Sequence, residues 1–300
     1  MSNFKIWLKA FRLRTLPLAA GGILLGGFLA AYEFSFSWPV MILAMVTAVL
    51  LQILSNLAND YGDFLKGTDQ AAQREDRALA SGSITIDAMK RALWVVGLLT
   101  LVCGIGLLFF AFQQLNVKFL IWFLVGLIAI AAALKYTVGK NAYGYMGLGD
   151  AFVLLFFGPV AVGGTYFLMA HQWPVNIWIP ALAFGLLCVA VLNINNLRDI
   201  ENDALAGKKT MVVRLGYKRG IWYQYLVFGI AILLLVLFAR VTDTPYDHYL
   251  CIVFGTLYYF ITNSLVGKPL GREPYNKALK QVSLTNLLFV ILLGIFWLAS

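Results

Sequence analysis

Charge is what this sequence has least of. Only 12% of its 300 residues are charged and 61% are hydrophobic, where an ordinary soluble domain carries roughly 25% charge. That shortage excludes a water-soluble fold. Acidic groups are the scarcer sign, 14 Asp and Glu against 23 Lys and Arg. The two histidines, His171 and His248, fall in predicted external turns far from the acidic residues, so histidine-based catalysis is excluded. The three cysteines, Cys103, Cys188 and Cys251, lie in apolar segments at unrelated spacings. They read as small lipid- or bundle-facing residues, which excludes a disulfide or thiolate-metal framework. Strand-like alternation is also missing from runs such as Ile230 to Phe238, which excludes a membrane β-barrel.

What is present is apolar sequence in lengths that suit a bilayer. A helix needs about 20 mostly apolar residues to cross the hydrocarbon core and satisfies its own backbone there. Nine such segments are predicted, over 16–33, 38–59, 91–112, 118–135, 147–169, 176–197, 221–240, 248–266 and 281–298. With the N-terminus inside, 21 of the 23 Lys and Arg fall on one face, leaving only Lys118 and Arg240 on the other. A wrong count of spans would scramble that asymmetry. The expectation is therefore an all-α integral membrane protein, one nine-helix domain over 1–300, with a cytoplasmic N-terminus and an external C-terminus. The net charge of +9 reads as topology, with some attraction to anionic headgroups or an anionic substrate, and calls for no nucleic acid.

Residues 1–15 carry Phe4, Trp7, Leu8 and Phe11 on one helical face and Lys5, Lys9 and Arg12 on another, the pattern of a helix lying in the interface. No signal-peptide cleavage site follows Leu16 to Tyr32, so this segment reads as an anchor leading into the first span. Two inside loops are long, 60–90 and 198–220. The first holds six acidic residues (Asp60, Asp63, Asp69, Glu75, Asp76, Asp87) and the second three (Asp199, Glu201, Asp203). Both open alike, Asn56-Leu-Ala-Asn59-Asp60-Tyr-Gly-Asp63 after the second span and Asn193-Ile-Asn195-Asn196-Leu-Arg-Asp199-Ile-Glu-Asn-Asp203 after the sixth. This resembles a weak internal duplication.

Residues four apart share a helix face, so Asn56 with Asp60, Asn59 with Asp63, and Asn195 with Asp199 and Asp203 would form ridges running from amides into carboxylates. Carboxylates crowded at the mouth of an apolar bundle repel one another unless a divalent cation supplies the missing charge. Oxygen ligands without His or Cys point to Mg²⁺, with Mn²⁺ as an alternative. Mg²⁺ favours one or two carboxylates together with waters and phosphate oxygens, so two clusters suit two ions on a phosphorylated substrate. Arg74, Arg77, Lys135, Lys140 and Arg198 are the cations placed to hold the same diphosphate. The bland alternative is that Asp and Asn only cap helix ends; two matching ridges argue against it. Gly158, Gly163 and Gly164 read as helix-packing residues, whereas Tyr136 to Asp150, with three tyrosines, reads as part of a pocket.

The first cluster resembles the Asn-Asp-x-x-Asp motif of the UbiA superfamily of intramembrane aromatic prenyltransferases, and the second its Asp-x-x-x-Asp motif. Several stretches are similar to the menaquinone branch of that superfamily: Arg12-Leu-Arg-Thr-Leu-Pro17, Arg77-Ala-Leu-Ala-Ser-Gly82, Tyr136-Thr-Val-Gly139, Tyr143-Gly-Tyr-Met-Gly-Leu-Gly-Asp150, Phe156-Phe-Gly-Pro159, and Asn196-Leu-Arg-Asp199 through Gly207-Lys-Lys-Thr210. The resemblance covers about 12–216. It departs at Gly67, where a third Asp is common and where Asp69 stands two residues further on. It departs again at Lys140-Asn141-Ala142, where an Arg-Pro pair is common and Lys140 would serve as the cation.

The resemblance implies a nine-helix bundle, Mg²⁺, a polyprenyl diphosphate donor and a 1,4-dihydroxy-2-naphthoate acceptor. The expected reaction is prenyl transfer with decarboxylation, giving demethylmenaquinone at the cytoplasmic face of the bacterial inner membrane, without an obligatory protein partner. Asp60 and Asp63 would hold one ion, Asp199 and Asp203 the other. Asn56, Asn59, Arg77, Tyr136, Lys140, Tyr143, Asp150, Asn195, Asn196 and Arg198 would bind substrate. Two other readings compete: another aromatic acceptor such as 4-hydroxybenzoate, and an ion-coupled secondary transporter with duplicated halves.

Overall fold

In the computed structural model, residues 3–33, 35–68, 77–242, 247–265 and 272–299 are described, and among them every regular element is helical. A short helix, α1 (Asn3–Ala10), and a 3₁₀ turn (Leu13–Thr15) lead into α2 (Leu16–Tyr32). Then follow α3 (Trp38–Leu65), α4 (Ile86–Phe112), α5 (Val117–Lys135), α6 (Gly149–Ala170) and α7 (Trp178–Arg198). Two short helices, α8 (Ile200–Leu205) and α9 (Met211–Leu215), precede α10 (Tyr217–Thr242), α11 (Asp247–Asn263) and α12 (Arg272–Ala299).

Local chemistry sets the helix starts. Pro17 and Pro39 occupy first-turn positions of α2 and α3, where the missing N–H costs nothing. Thr85 and Asn116 cap α4 and α5 by accepting from the N–H groups of Ala88 and Phe119. Along α4, Trp94, Leu98 and Val102 are exposed at four-residue spacing, a stripe that suits lipid.

Eight helical segments among the described residues are long and apolar enough to cross a membrane. The ninth predicted span, 248–266, is the 17-residue α11, whose apolar part runs only over Leu250–Asn263. His248, predicted in a turn, belongs to the first turn of that helix. Helix ends move where polar residues were read as loop. α3 continues through Asn59, Asp60 and Asp63 to Leu65, and α12 begins at Arg272 instead of 281, because i,i+4 polar ridges are as compatible with a helix as apolar ones.

α7 is the axis of the bundle. It packs on α6, α10 and α12, and contact between α12 and α2 closes the ring of helices. α6 is interrupted by π-helix over Phe156–Gly163 around Pro159; widened turns of this kind often mark functional positions. The glycines from 158 onward do pack helices: a Cβ at Gly158 would lie 2.5 Å from the Ala181 carbonyl oxygen, and one at Gly164 would lie 2.9 Å from the Trp122 ring.

Candidate active site

Asp60 and Asp63 lie on the last two turns of α3, while Asp199 is the residue at which α7 ends. Its backbone, at φ −104° and ψ 12°, breaks the helix, so Asp203 belongs to the separate α8. The continuous Asn195–Asp199–Asp203 ridge is thus two pieces, joined by a 2.8 Å bond from the Asp203 N–H to the Asp199 carbonyl. All four carboxylates are buried, between 2% and 7% exposed.

Each has a cation against it. Arg77 Nη1 is 3.4 Å from Asp60, and Arg198 grips Asp199 at 2.5 and 3.1 Å while donating to Asn195 at 2.8 Å. Lys208 Nζ lies 3.0 Å from Asp63 and 3.5 Å from Asp203, so one ammonium joins the two clusters. Tyr145 donates to Asp63 at 2.8 Å, and its hydroxyl is 2.8 Å from Thr68. Burial, together with the charges of Asp199 and Asp63, pushes the Asp203 carboxyl up to about 6 against the pull of Lys208. Arg12 lines the same pocket and Lys66 feels the charge of Asp63, so the carboxylates are interleaved with cations.

Asp63, Asp199 and Asp203 line a polar pocket of ≈ 40 Å³ with Asn59, Asn195, Asn196, Asn202 and Lys208. A water needs roughly 10–15 Å³ of such space, so a small hydrated ion fits. Asp60 stands behind Arg77, which does line the pocket. Among the described residues no three or more His, Cys, Asp or Glu side chains stand together so as to hold a metal ion by themselves. Oxygen donors in an open arrangement suit a hard divalent cation that completes its shell with water and ligand oxygens.

Below it opens a larger cavity of ≈ 370 Å³, walled by apolar residues such as Ile23, Leu108, Phe123, Phe157 and Leu168. Arg12, Asn59, Tyr136 and Asn195 line both spaces and form the neck between them. Tyr136 meets Tyr143 edge-on at 5.3 Å, and Tyr143 stacks on Phe152 at 3.9 Å.

The N-terminal segment closes over this neck. Arg12, in the left-handed conformation at φ 51°, donates to Asn59 at 3.0 Å. Asn56 donates to the Phe11 carbonyl at 2.9 Å and to the Thr15 hydroxyl at 3.0 Å. Arg14 and Arg198 both donate to Asn276 of α12, at 3.0 and 2.8 Å.

Of the residues expected at the site, Asp60, Lys140, Asp150 and Arg198 line neither space, and Asn56 and Tyr143 line only the apolar cavity. Asn56 lines only the apolar cavity and anchors the N-terminal segment, because its amide is engaged by that backbone. Lys140 is exposed and lines neither space. Asp150 accepts from the Tyr223 hydroxyl at 2.7 Å and fastens α6 to α10. Asp69 and Arg74 lie outside the described residues. Sequence reasoning passed over Arg12 and Lys208 as site residues and placed Tyr145 only within a pocket-forming stretch, although each stands in a stretch that carries the family resemblance.

A carboxylate-lined polar chamber above a membrane-buried apolar cavity defines an intramembrane enzyme for substrates with an anionic head and a long apolar tail. Residues 20–283 match the UbiA prenyltransferase family, and the chain belongs to that family. Among its relatives is the 1,4-dihydroxy-2-naphthoate octaprenyltransferase of Haemophilus influenzae, 43% identical over 84% of this chain and 82% of that protein. The protein of the same name in Escherichia coli is 41% identical over 99% and 96% of the two chains. The fold matches a UbiA homologue from Archaeoglobus fulgidus solved with GPP and Mg²⁺, with TM-score 0.66 and 20% identity, covering 97% of this chain and 100% of that one. It also matches the apo structure of a homologue from Aeropyrum pernix, with TM-score 0.64 and 15% identity over 98% of each chain.

Proposed function

We infer that this chain transfers a polyprenyl group from polyprenyl diphosphate to 1,4-dihydroxy-2-naphthoate, with loss of the ring carboxylate as CO₂, giving the demethylmenaquinone ring in its quinol form. The observation that carries the reading is the junction of the two chambers at Arg12, Asn59, Tyr136 and Asn195. A diphosphate in the polar pocket and an isoprenoid tail in the apolar cavity would put the allylic C–O bond at that neck. The naphthoate acceptor follows from the names of the relatives at 41% and 43% identity.

Asp63, Asp199 and Asp203, with Asp60 behind Arg77, would hold Mg²⁺, two ions in all, with Mn²⁺ able to replace it. Bound there, the ions would neutralise the departing diphosphate and so favour ionisation of the allylic C–O bond. The chain's residues do the rest. Asn59, Asn195 and Asn196 orient the phosphate oxygens, and Arg77 and Arg198 add positive charge around them. The ring faces of Tyr136 and Tyr143 border the neck where positive charge would develop on carbon. The apolar wall keeps water from that carbon until the electron-rich naphthoate ring attacks and its carboxylate leaves.

The positive-inside pattern supports a site on the cytoplasmic face of the bacterial inner membrane, within a single domain over 1–300. The loops 60–90 and 198–220 then form its catalytic rim.

Purified protein with Mg²⁺ and farnesyl diphosphate, given 1,4-dihydroxy-2-naphthoate or 4-hydroxybenzoate in separate reactions, is expected to yield a prenylated product by mass spectrometry only with the naphthoate. Product only with the benzoate overturns the acceptor, and product with neither overturns the reaction.

A further inference from the structure

Of Arg77, Arg198 and Lys208, which pair directly with the four carboxylates, one differs in kind. Arg198 neighbours Asp199 in sequence and is held by Asn195 and Asn276 as well, which fixes its planar head. Arg77 serves the first cluster through Asp60. Lys208 reaches both clusters, 3.0 Å from Asp63 on α3 and 3.5 Å from Asp203 on α8, with its Nζ 4.8 Å from the centre of the Tyr145 ring. Its main chain is pinned on both sides. The Lys208 N–H donates to the Asp203 carbonyl at 2.8 Å and the Lys209 N–H to the Tyr145 carbonyl at 3.0 Å, while Gly207 makes the turn at φ +71°. Only the four-carbon stem is left to move, and it carries a compact charge with three donors.

An ammonium set between carboxylates of two facing clusters answers the same electrostatic demand that would draw a divalent ion. Placing both on those oxygens sets like charges side by side, and they repel. We propose that Lys208 is a built-in surrogate for the divalent ion: it neutralises Asp63 and Asp203 in the metal-free protein and is displaced when metal binds. The proposal rests on the reading of these carboxylates as metal-holding. Two consequences follow. The pocket stays folded without metal, and metal alone binds weakly because it must first evict Lys208. A diphosphate arriving with the metal gives the displaced ammonium a new anionic partner, so the two ligands bind cooperatively.

The test titrates Mg²⁺ into the full-length protein in detergent without diphosphate, followed by calorimetry and by thermal melting. Lys208→Met and Lys208→Gln both remove the charge, so that one serves if the other fails to fold; Lys208→Arg keeps it. Expected are a lower melting temperature without metal for the charge-removing variants and Mg²⁺ affinity about five-fold or more above the native chain. Lys208→Arg stays near the native affinity. Inorganic diphosphate should strengthen Mg²⁺ binding more in the native chain than in Lys208→Met. Mg²⁺ binding no tighter in the charge-removing variants than in the native protein overturns the surrogate role alone. No Mg²⁺ binding to any of the proteins, with or without diphosphate, overturns the metal reading beneath it.

Discussion

Asp199 carries a contact set that no neighbour can replace, with Arg198 on both its oxygens and the polar pocket in front of it. Asp199→Asn keeps the size but loses the charge, so turnover is expected to fall by about 10²- to 10³-fold, with a lower melting temperature because buried Arg198 loses its charge partner. Product yield by mass spectrometry beside a thermal melt checks both halves. Asp60→Ala is a harsher change, because it takes the carboxylate from buried Arg77. It should abolish turnover and also cost about 3 kcal/mol or more of stability, where Asp60→Asn should abolish turnover at a smaller cost. At Tyr145, replacement by Phe removes the 2.8 Å bond to Asp63. A loss of about 1 kcal/mol is expected, read as a lower melting point together with a weakened Mg²⁺ response. Lys140 provides the contrast. Exposed and lining neither chamber, it can be changed to Ala with kcat/KM kept within about two-fold.

At the scale of elements, the close approach of α3 to the chain after α5 shapes the neck. Gly62 lies between the two aspartates of the first cluster, and a Cβ there would stand 2.6 Å from the Thr137 hydroxyl and 2.7 Å from its backbone carbonyl. Thr137 is held in turn by donating to the Ala58 carbonyl at 2.8 Å. Gly62→Ala must push Tyr136 and Thr137 off α3, so about ten-fold or more loss of kcat/KM is expected with about 1–3 kcal/mol of destabilisation. Kinetics at normal activity would show that the neck tolerates the shift. These element contacts mark where the sequence was legible and where it was not. Apolar runs flanked by Pro17, Pro39, Thr85 and Asn116 announce helices through local rules, and two Asn/Asp runs announce crowded oxygen donors. Contacts made across the fold have no local signature: Tyr145 meets Asp63 from 82 residues away and Lys208 from 145. Asp150 looked like a pocket residue because it follows a glycine- and tyrosine-rich stretch, yet the turn at the start of α6 aims it at Tyr223. The break at Asp199 was hidden because i,i+4 spacing assumes an unbroken helix.

For the whole molecule, the division of labour between the two chambers sets what the enzyme can accept. Gly104 of α4 borders the apolar cavity, and the nearest atom to a Cβ placed there is the Thr47 methyl at 3.9 Å. Gly104→Phe would fill part of the ≈ 370 Å³ space. It is expected to raise KM for long-chain donors by about ten-fold while sparing farnesyl diphosphate, a split that competition between the two donors reveals.

Arg14 donates to Asn276 across 262 residues of chain, and α2 lies against α12. At the usual 5–20 residues per second of synthesis, the first span waits roughly 13 to 50 seconds for its last neighbour. During that interval α2 faces lipid or chaperone on the side α12 will cover, and the Arg14 guanidinium lacks its Asn276 contact. The newborn protein is thus an open arc that becomes a ring once α12 has been made. A ribosome stalled before residue 272 should leave a chain whose N-terminal segment is cut by protease, whereas release of the full length protects it.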